Sequence, residues 1–557
     1  MWSCSVCGAV VSPAAGSCTT CGADRGTPAP PRTAVPRPGK TLPPTTSTFA
    51  PPTPAPGGVA APAPSSTRTA PPHVPYQAAP HLATDATRYL CAAVQLDGGL
   101  GDRAIRSVLK EPHRAVASSP GVDLVCVLRY ALAAHGRQTT AQALLALTAL
   151  ALVTSFVFRF PADATSSVVP LVAVAWGIVL VERLITFYGV LRPKLSRGAF
   201  DPAQAPPARP QDEKLLSRLA TEDQQGNVSV FSGYEPFLGY GRLLNSWSFT
   251  IAVDRPDERF DHAVPFTLRT LDAEVVKAVT ALGLPGVAIS ERVFVNGADL
   301  SQGLDPVLRP LLLPRPEDRP QIALRPPVLD RLRDDGSGRA RPYLVTTVSG
   351  WSSELVSTTT VRFSLSPARD LLFVEGATSL LPPLHRRFHQ VDHLLDRPTW
   401  WQVLALLKSS AVAVPSRLVA APFGLLSLVT GRLAEERRER EQRRQIALGA
   451  FNYGAALSLR EAASDPEFHR YFQQVDSQMY VKIVERRVLD TLTDFLADHQ
   501  VDISELRERQ NVIYNGGVFT SGNATVHFVN SAVAAGAASR IMGRVGRTPP
   551  GGRKEDR

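Results

Sequence analysis

Gln138–Phe158 reads QTTAQALLALTALALVTSFVF and Ala164–Val181 reads ATSSVVPLVAVAWGIVLV, and neither run carries a charge. At about 1.5 Å of rise per residue, the first run covers a hydrocarbon core of about 30 Å. The second continues through ERLITFYGVL to Leu191 and reaches a similar length. Only RFPAD separates them, so the spacing predicts an antiparallel transmembrane hairpin over residues 138–190. Phe156, Phe158 and Phe160 mark one water–lipid interface, and Phe187 and Tyr188 mark the other. Arg129 and Arg137 precede the hairpin, and Arg183, Arg192, Lys194 and Arg197 follow it. The connecting loop offers only Arg159, opposed by Asp163. Positive charge stays on the cytoplasmic side, so a multi-pass protein of the inner (plasma) membrane is expected, with both termini in the cytoplasm. Glu182 and Arg183 lie about one turn inside the second span, where snorkelling accounts for them.

Moving toward the N-terminus, residues 86–137 show helical spacing and form a juxtamembrane collar, with Cys91 and Cys126 on apolar positions as core thiols. Residues 27–85 are almost entirely Pro, Ala, Thr, Ser and Gly. Such a segment buries too little apolar surface to offset its ordering entropy, so a disordered Pro-rich linker is expected. At the start, MWSCSVCGAVVSPAAGSCTTCG places four of the six cysteines, Cys4, Cys7, Cys18 and Cys21, in two C-x-x-C knuckles. Each knuckle supplies two thiolates from one tight turn, and two knuckles complete a tetrahedral zinc shell. Gly8 and Gly22 follow directly, where the knuckle turn needs positive φ. No basic or apolar leader pattern precedes Cys4, so a reducing compartment and metal are expected in preference to disulfides. Residues 1–26 resemble the minimal zinc ribbons at the N-termini of many bacterial membrane proteins. That resemblance implies a structural Zn2+ in a closed shell and a non-catalytic interaction module.

Beyond the hairpin, residues 191–226 contain a second Pro-rich linker, DPAQAPPARPQ. Residues 227–383 alternate with period two in NVSVFSG, NSWSFTIAVD, GVAISERVFVNG, PYLVTTVSG, STTTVRFSLSP and LLFVEGA, and DAEVVKAVTALGL reads as a helix with Asp272 as its N-cap. A cytosolic α+β domain is expected there. Residues 384–510 read as a helical region, partly amphipathic. Within it Trp400 to Gly431 is apolar, but Lys408 and Arg417 leave charge-free runs too short to span, which favours an interfacial helix or core packing. Residues 511–540 form a short β-rich segment and 541–557 a disordered tail. The expected architecture is therefore multidomain: a zinc ribbon, a helical transmembrane hairpin and a cytosolic α+β domain with a helical C-terminal region.

Catalytic signatures are weak. AVPRPGKT (34–41) ends like a phosphate-binding loop but lacks the first glycine and a preceding strand, and neither G-x-S-x-G nor H-E-x-x-H occurs. GYGR (239–242) could form an anion nest, or simply a connecting loop. His385, His389 and His393 stand at i, i+4, i+8. On a straight helix the outer two are about 12 Å apart, so at most two could share a metal, completed from elsewhere. Arg386 and Arg387 would repel a cation there, which favours a plain polar helix face. The formal net charge of +10 is dispersed without a basic stripe, so membrane lipid is an expected partner and nucleic acid is not.

The Ala/Arg/Pro-heavy composition and FSGYEPFLGYGR…WSFTIAV (231–253) resemble zinc-ribbon membrane proteins of GC-rich actinobacteria, a group that brings no assigned activity. The first functional expectation is a cytosol-facing scaffold or signalling adaptor without catalysis. Its protein partners would bind through the ribbon and the cytosolic domain, and homo-oligomers are allowed. The alternatives are a membrane-bound, metal-dependent enzyme with its site in 227–400, and a transporter or channel subunit. Converting Cys4 and Cys7 to serine should remove one zinc per chain, read by elemental analysis, while the hairpin still inserts; retention of that zinc would disprove the ribbon.

Overall fold

The computed structural model describes residues 82–507 apart from 160–163, 285, 335–337 and 395–398, together with Trp2–Ser3 and Val10–Val11. Two compact units divide the chain, residues 1–72 and 73–557. In the first, β1 (Trp2–Ser3) pairs antiparallel with β2 (Val10–Val11), Trp2 opposite Val11. The four knuckle cysteines, the Pro-rich linker, the AVPRPGKT segment and residues beyond 507 lie outside the described residues.

The second unit begins with α1 (Asp85–Leu96), whose first turn is closed by Thr84 accepting from the Thr87 amide. α2 (Gly98–Ala104) follows and runs into a π turn at Ile105–Leu109. These pack against the start of α3 (Leu124–Arg159), burying Leu90, Val94, Val125, Leu128 and Tyr130 in one collar core. Cys91 and Cys126 are buried there as expected, with sulfurs 3.7 Å apart. α3 and α4 (Ala164–Leu184) form the hairpin, and both are long and apolar enough to cross a membrane. α5 (Pro210–Gln225) then leads into the sheet.

That sheet is mixed and six-stranded. Its strands are β3 (Val228–Phe231), β4 (Arg242–Ala252), β5 (Val287–Asn296), β6 (Ala340–Gly350), β7 (Leu355–Leu365) and β8 (Leu371–Leu381), in the spatial order β3-β5-β6-β7-β8-β4. Only β3–β5 is parallel. Every stretch with period-two alternation has become a strand, because one face of the sheet is apolar and a slip of one residue would expose it. α6 (Leu268–Thr280) covers that face through Leu271, Val275 and Val279. Its N-cap is Thr267, not Asp272. Asp272 instead sits inside the helix and meets Arg333, at 2.8 Å, from α7 (Pro326–Asp334). The hydrophobic pattern extends one turn upstream of the aspartate through Leu268 and Leu271, so packing moves the helix start.

The rest of the cover comes from far along the chain. α8 (Trp400–Ala447) is followed by α9 (Tyr471–Asp498), which buries Val484, Val488, Leu489, Leu492 and Leu496 on the same face as α6. Between them, Phe451–Ala455 closes the opposite end of the sheet, with Ala455 bridged to Phe231.

By length and composition Trp400–Gly424 within α8 is also apolar enough to cross a membrane. Its charge does not stand alone, since Arg417 pairs with Glu182 of α4 at 2.7 Å. Three contacts tie it to the hairpin. Ser409 accepts from Arg183 at 2.6 Å, Arg417 meets Glu182, and Gly424 lies against Gln142. All three partners belong to the collar end of the hairpin. α8 also packs along the hairpin itself, with the Trp176 indole donating to the Leu407 carbonyl at 3.4 Å and Val414 and Ala421 buried among Leu145, Ala175 and Val179. Trp400, Trp401, Val412, Val419 and Phe423 remain exposed on it. Such an exposed apolar face suits contact with lipid.

Leu489 has no exposed surface, so Leu489→Ala should lower stability by about 2–5 kcal/mol. Leu311→Ala, at a half-exposed site, should change it by no more than about 0.5 kcal/mol. Urea unfolding of the detergent-solubilised chain reads both.

Candidate metal centre

The turn between β6 and β7 is conformationally costly. Trp351, Ser352 and Ser353 have φ of 54°, 54° and 63°, three successive left-handed residues that are not glycine. L-residues avoid this region because Cβ crowds the carbonyl, at a cost of roughly 1–2 kcal/mol each. The turn persists because its surroundings hold it. The Ser352 hydroxyl accepts from the Asp85 amide at 2.9 Å, and the Ser352 carbonyl accepts from the Ala86 amide at 3.3 Å. The Trp351 indole donates to Asp476 at 2.9 Å. Gly121 lets the loop before α3 approach, since a Cβ there would sit 2.6 Å from the Ser353 hydroxyl. Arg460, wholly buried, donates to the Glu354 carbonyl at 2.7 Å and the Pro382 carbonyl at 2.9 Å. The turn ends on Glu354, a buried carboxylate.

Glu354 meets two histidines from other parts of the chain. Arg386–His393 is a 3-10 helix, which brings His389 inward while His385 and His393 stay exposed. His469 lies just before α9. Ligand atoms of Glu354, His389 and His469 all fall within 4.8 Å of one another. The His389 Nε2 is 3.8 Å from the Glu354 carboxylate and is buried without a hydrogen-bond partner. Its ring is stacked on Tyr89, with centroids 4.0 Å apart, and hydrogen-bonds the Leu384 backbone. His469 Nε2 pairs with Asp465 at 3.2 Å, as carboxylates orient metal-bound imidazoles.

The electrostatics suit a cation. Burial, reinforced by His469, pushes the His389 pKa down to about 4, so the ring is neutral and its lone pair available. Burial and then Asp85 push the Glu354 carboxyl up to about 7. A divalent ion would satisfy the orphaned nitrogen and favour the carboxylate. Two imidazoles and one carboxylate are the donor set of zinc-type sites with a further position left open.

Beside the cluster, Asp392 accepts from Arg88 and from the Tyr89 hydroxyl, both at 2.5 Å. Burial raises the Asp392 pKa, but those two hydrogen bonds outweigh it and hold the group below the usual range. Arg88 also reaches Asp85 at 2.9 Å and the Leu195 carbonyl at 3.1 Å.

The structure sorts the sequence candidates. Of the histidine triplet only His389 enters the cluster. The tighter 3-10 turn breaks the one-face alignment assumed for an α-helix, and His385 instead caps that turn by accepting from the Arg387 amide at 3.3 Å. Arg387 is turned away and pairs with Asp97 at 2.8 Å, so it opposes no cation here. Gly239 and Gly241 do form an anion nest, with φ of 100° and 93°, but both amides already donate to the Glu461 carboxylate at 2.6 and 2.9 Å. Glu182 is paired with Arg417, so the carboxylate near the C-terminal end of α4 is neutralised by α8 and does not need to snorkel. Glu354 and His469 carried no sequence signal: they stand 35 and 80 residues from His389, outside any ligand-spacing motif.

The AbeC-like domain family (AbeC) matches residues 246–527, a range that contains Glu354, His389 and His469. No curated protein and no solved structure matches the chain.

Below about pH 7 a metal must displace the Glu354 proton, whereas above it that group is already ionised. Glu354 should therefore contribute about one unit of log K per pH unit below 7 and nothing above. The difference in slope between wild type and Glu354→Gln, in Co2+ titrations from pH 5.5 to 8.5, reads this contribution. Equal slopes would show that Glu354 is not a ligand.

Proposed function

Because this chain belongs to the AbeC-like domain family, and that domain carries all three donors, we propose a membrane-seated scaffold or adaptor whose AbeC-like domain binds a divalent zinc-type ion at Glu354, His389 and His469. The observation that carries this reading is the buried, unpartnered Nε2 of His389 facing a buried carboxylate. Leaving such an atom unsatisfied costs about 1–3 kcal/mol, which a bound ion would recover. The ion would join the β6–β7 turn, the 3-10 segment and the start of α9, and so clamp the sheet to the collar. In this proposal the hairpin sits in the plasma membrane with its collar end, the sheet and both termini on the cytosolic side. Cys4, Cys7, Cys18 and Cys21 hold a second, structural zinc in a ribbon on the Pro-rich tether. The ribbon and the sheet domain recruit protein partners, and self-association is allowed.

A second reading is a metal-dependent membrane enzyme at the same cluster. The open coordination position of a His2Glu set and a carboxyl near pH 7 favour it. Metal content of the full chain, purified in detergent, tests the proposal. Two zinc ions per chain are expected, one lost in Cys4→Ser/Cys7→Ser and the other in His389→Ala/His469→Ala. Retention of both in the histidine variant would overturn the cluster as a site. Visible absorption of the Co2+ form separates the readings: a spectrum unmoved by added azide supports a closed, structural ion, and a shifted one supports the enzyme.

A further inference from the structure

A cavity of 1510 Å³ opens where the collar end of the hairpin meets α2, α5 and α8. It lies far from the metal cluster in sequence and shares none of its residues. One wall is apolar and comes from the hairpin: Leu144 on α3, and Val174, Ile178 and Val181 on α4, continued by Ile185. Leu144, Val174, Val181 and Ile185 are exposed, and they lie on the segments apolar enough to cross a membrane. The other wall is charged.

Its charges do not cancel evenly. Among the lining carboxylates, Asp102 is engaged by His135 at 2.8 Å, Glu182 by Arg417 at 2.7 Å and Glu435 by Lys110 at 2.6 Å. The lining holds Arg106, Lys110, Arg137 and Arg209 with Asp102, Glu182, Asp212 and Glu435; because Glu182 is taken by Arg417 from outside the lining, four cations face three remaining carboxylates, and Arg106, Arg137 and Arg209 form no ion pair among the described residues. Arg137 is placed most tellingly. Its hydrogen bonds go to neutral partners, the Gln95 side chain and the Ala133 carbonyl, its Nε is buried without a hydrogen-bond partner, and Glu182, the carboxylate that acts on it across the cavity, is already engaged by Arg417. A half-buried guanidinium whose hydrogen bonds go only to neutral acceptors favours an anion within reach.

Apolar walls on the membrane side, an excess of guanidinium on the collar side and a volume above the about 300–1,000 Å³ of a drug-sized pocket describe one kind of ligand. We infer that this cavity binds a single anionic phospholipid, its headgroup phosphate held by Arg137 with Arg106 and Arg209, and its acyl chains laid along α3 and α4. α8 closes the cavity through Gly431 and Glu435. Bound lipid therefore ties α8 to the hairpin. Basic pockets between helices at a membrane surface select anionic headgroups by the same physics, because the phosphate exchanges water for fixed donors while the chains stay in an apolar medium.

Native mass spectrometry of the full chain, released from mixed micelles of phosphatidylglycerol and phosphatidylcholine, tests this. One phosphatidylglycerol should stay bound per chain in preference to phosphatidylcholine. Arg106→Gln/Arg209→Gln, which alters only exposed side chains, should weaken that preference about 30-fold, at about 1 kcal/mol per cation. Arg137→Gln should abolish it, and Arg315→Gln/Arg325→Gln on the sheet domain should leave it intact. Equal retention of the two lipids would overturn the inference, as would an effect of the sheet-domain variant equal to that of the cavity variant. Displacement of the lipid by millimolar inorganic phosphate alone would also overturn it, by showing a site for free phosphate. The metal content of these variants should equal that of the wild type, so failure here leaves the cluster unaffected.

Discussion

Arg88 ties the collar to the 3-10 segment and to the end of the second hairpin helix. Its guanidinium is 1% exposed and takes Asp392 from the 3-10 segment, Asp85 from its own helix and the Leu195 carbonyl from the end of the second membrane helix. Removing one member of such a pair leaves a buried charge uncompensated, at roughly 3–5 kcal/mol. Because Asp392 lies three residues after His389, the same contact that docks the collar also sets the depth of the His389 ring. Tyr89, adjacent to Arg88, finishes the job by stacking on His389 and donating to Asp392.

The left-handed turn at Trp351–Ser353 supplies the third donor, and its strain makes sense only with its partners in place. A turn of this conformation between two central strands would relax if it were free. Here the start of α1, the buried Arg460 and Asp476 on α9 hold it from three sides. Backbone strain retained at a cluster of buried polar groups marks a position where geometry is kept for a purpose other than stability. Loosening any of the three braces would change the distance between Glu354 and His389, so the cluster reports on whether collar, sheet and α9 are assembled.

The membrane side is organised by a similar exchange of charge. Glu182 near the C-terminal end of α4 and Arg417 in an otherwise apolar helix would each be costly alone in lipid. Paired, they cross-link α8 to the hairpin. On the collar side of that link, Lys110–Glu435 and Arg438–Glu111 carry α8 back onto the folded body. With the 3-10 segment fastened at Arg88 and α8 fastened at both the hairpin and the collar, packed contacts run continuously from the hairpin to Glu354, His389 and His469.

Local composition and periodicity were enough to find the two hairpin helices, the six strands and the buried collar thiols, because each depends on a pattern written within about twenty residues: an uncharged apolar run, an alternation, or an apolar helix face. The same reasoning placed Asp272 as a cap and aligned three histidines on an α-helix, and both readings failed where packing outweighed local preference. Glu354, His389 and His469 are brought together by the sheet, the 3-10 turn and α9, none of which leaves a mark at the spacing of the donors. The pairing of Arg417 with Glu182, 235 residues apart, likewise turned an apparent obstacle to membrane burial into a contact. Patterns of short range are legible along the chain, because neighbouring residues share one water-to-apolar boundary. Sites built from distant segments are decided only when burial brings charges and lone pairs together and makes each depend on the others.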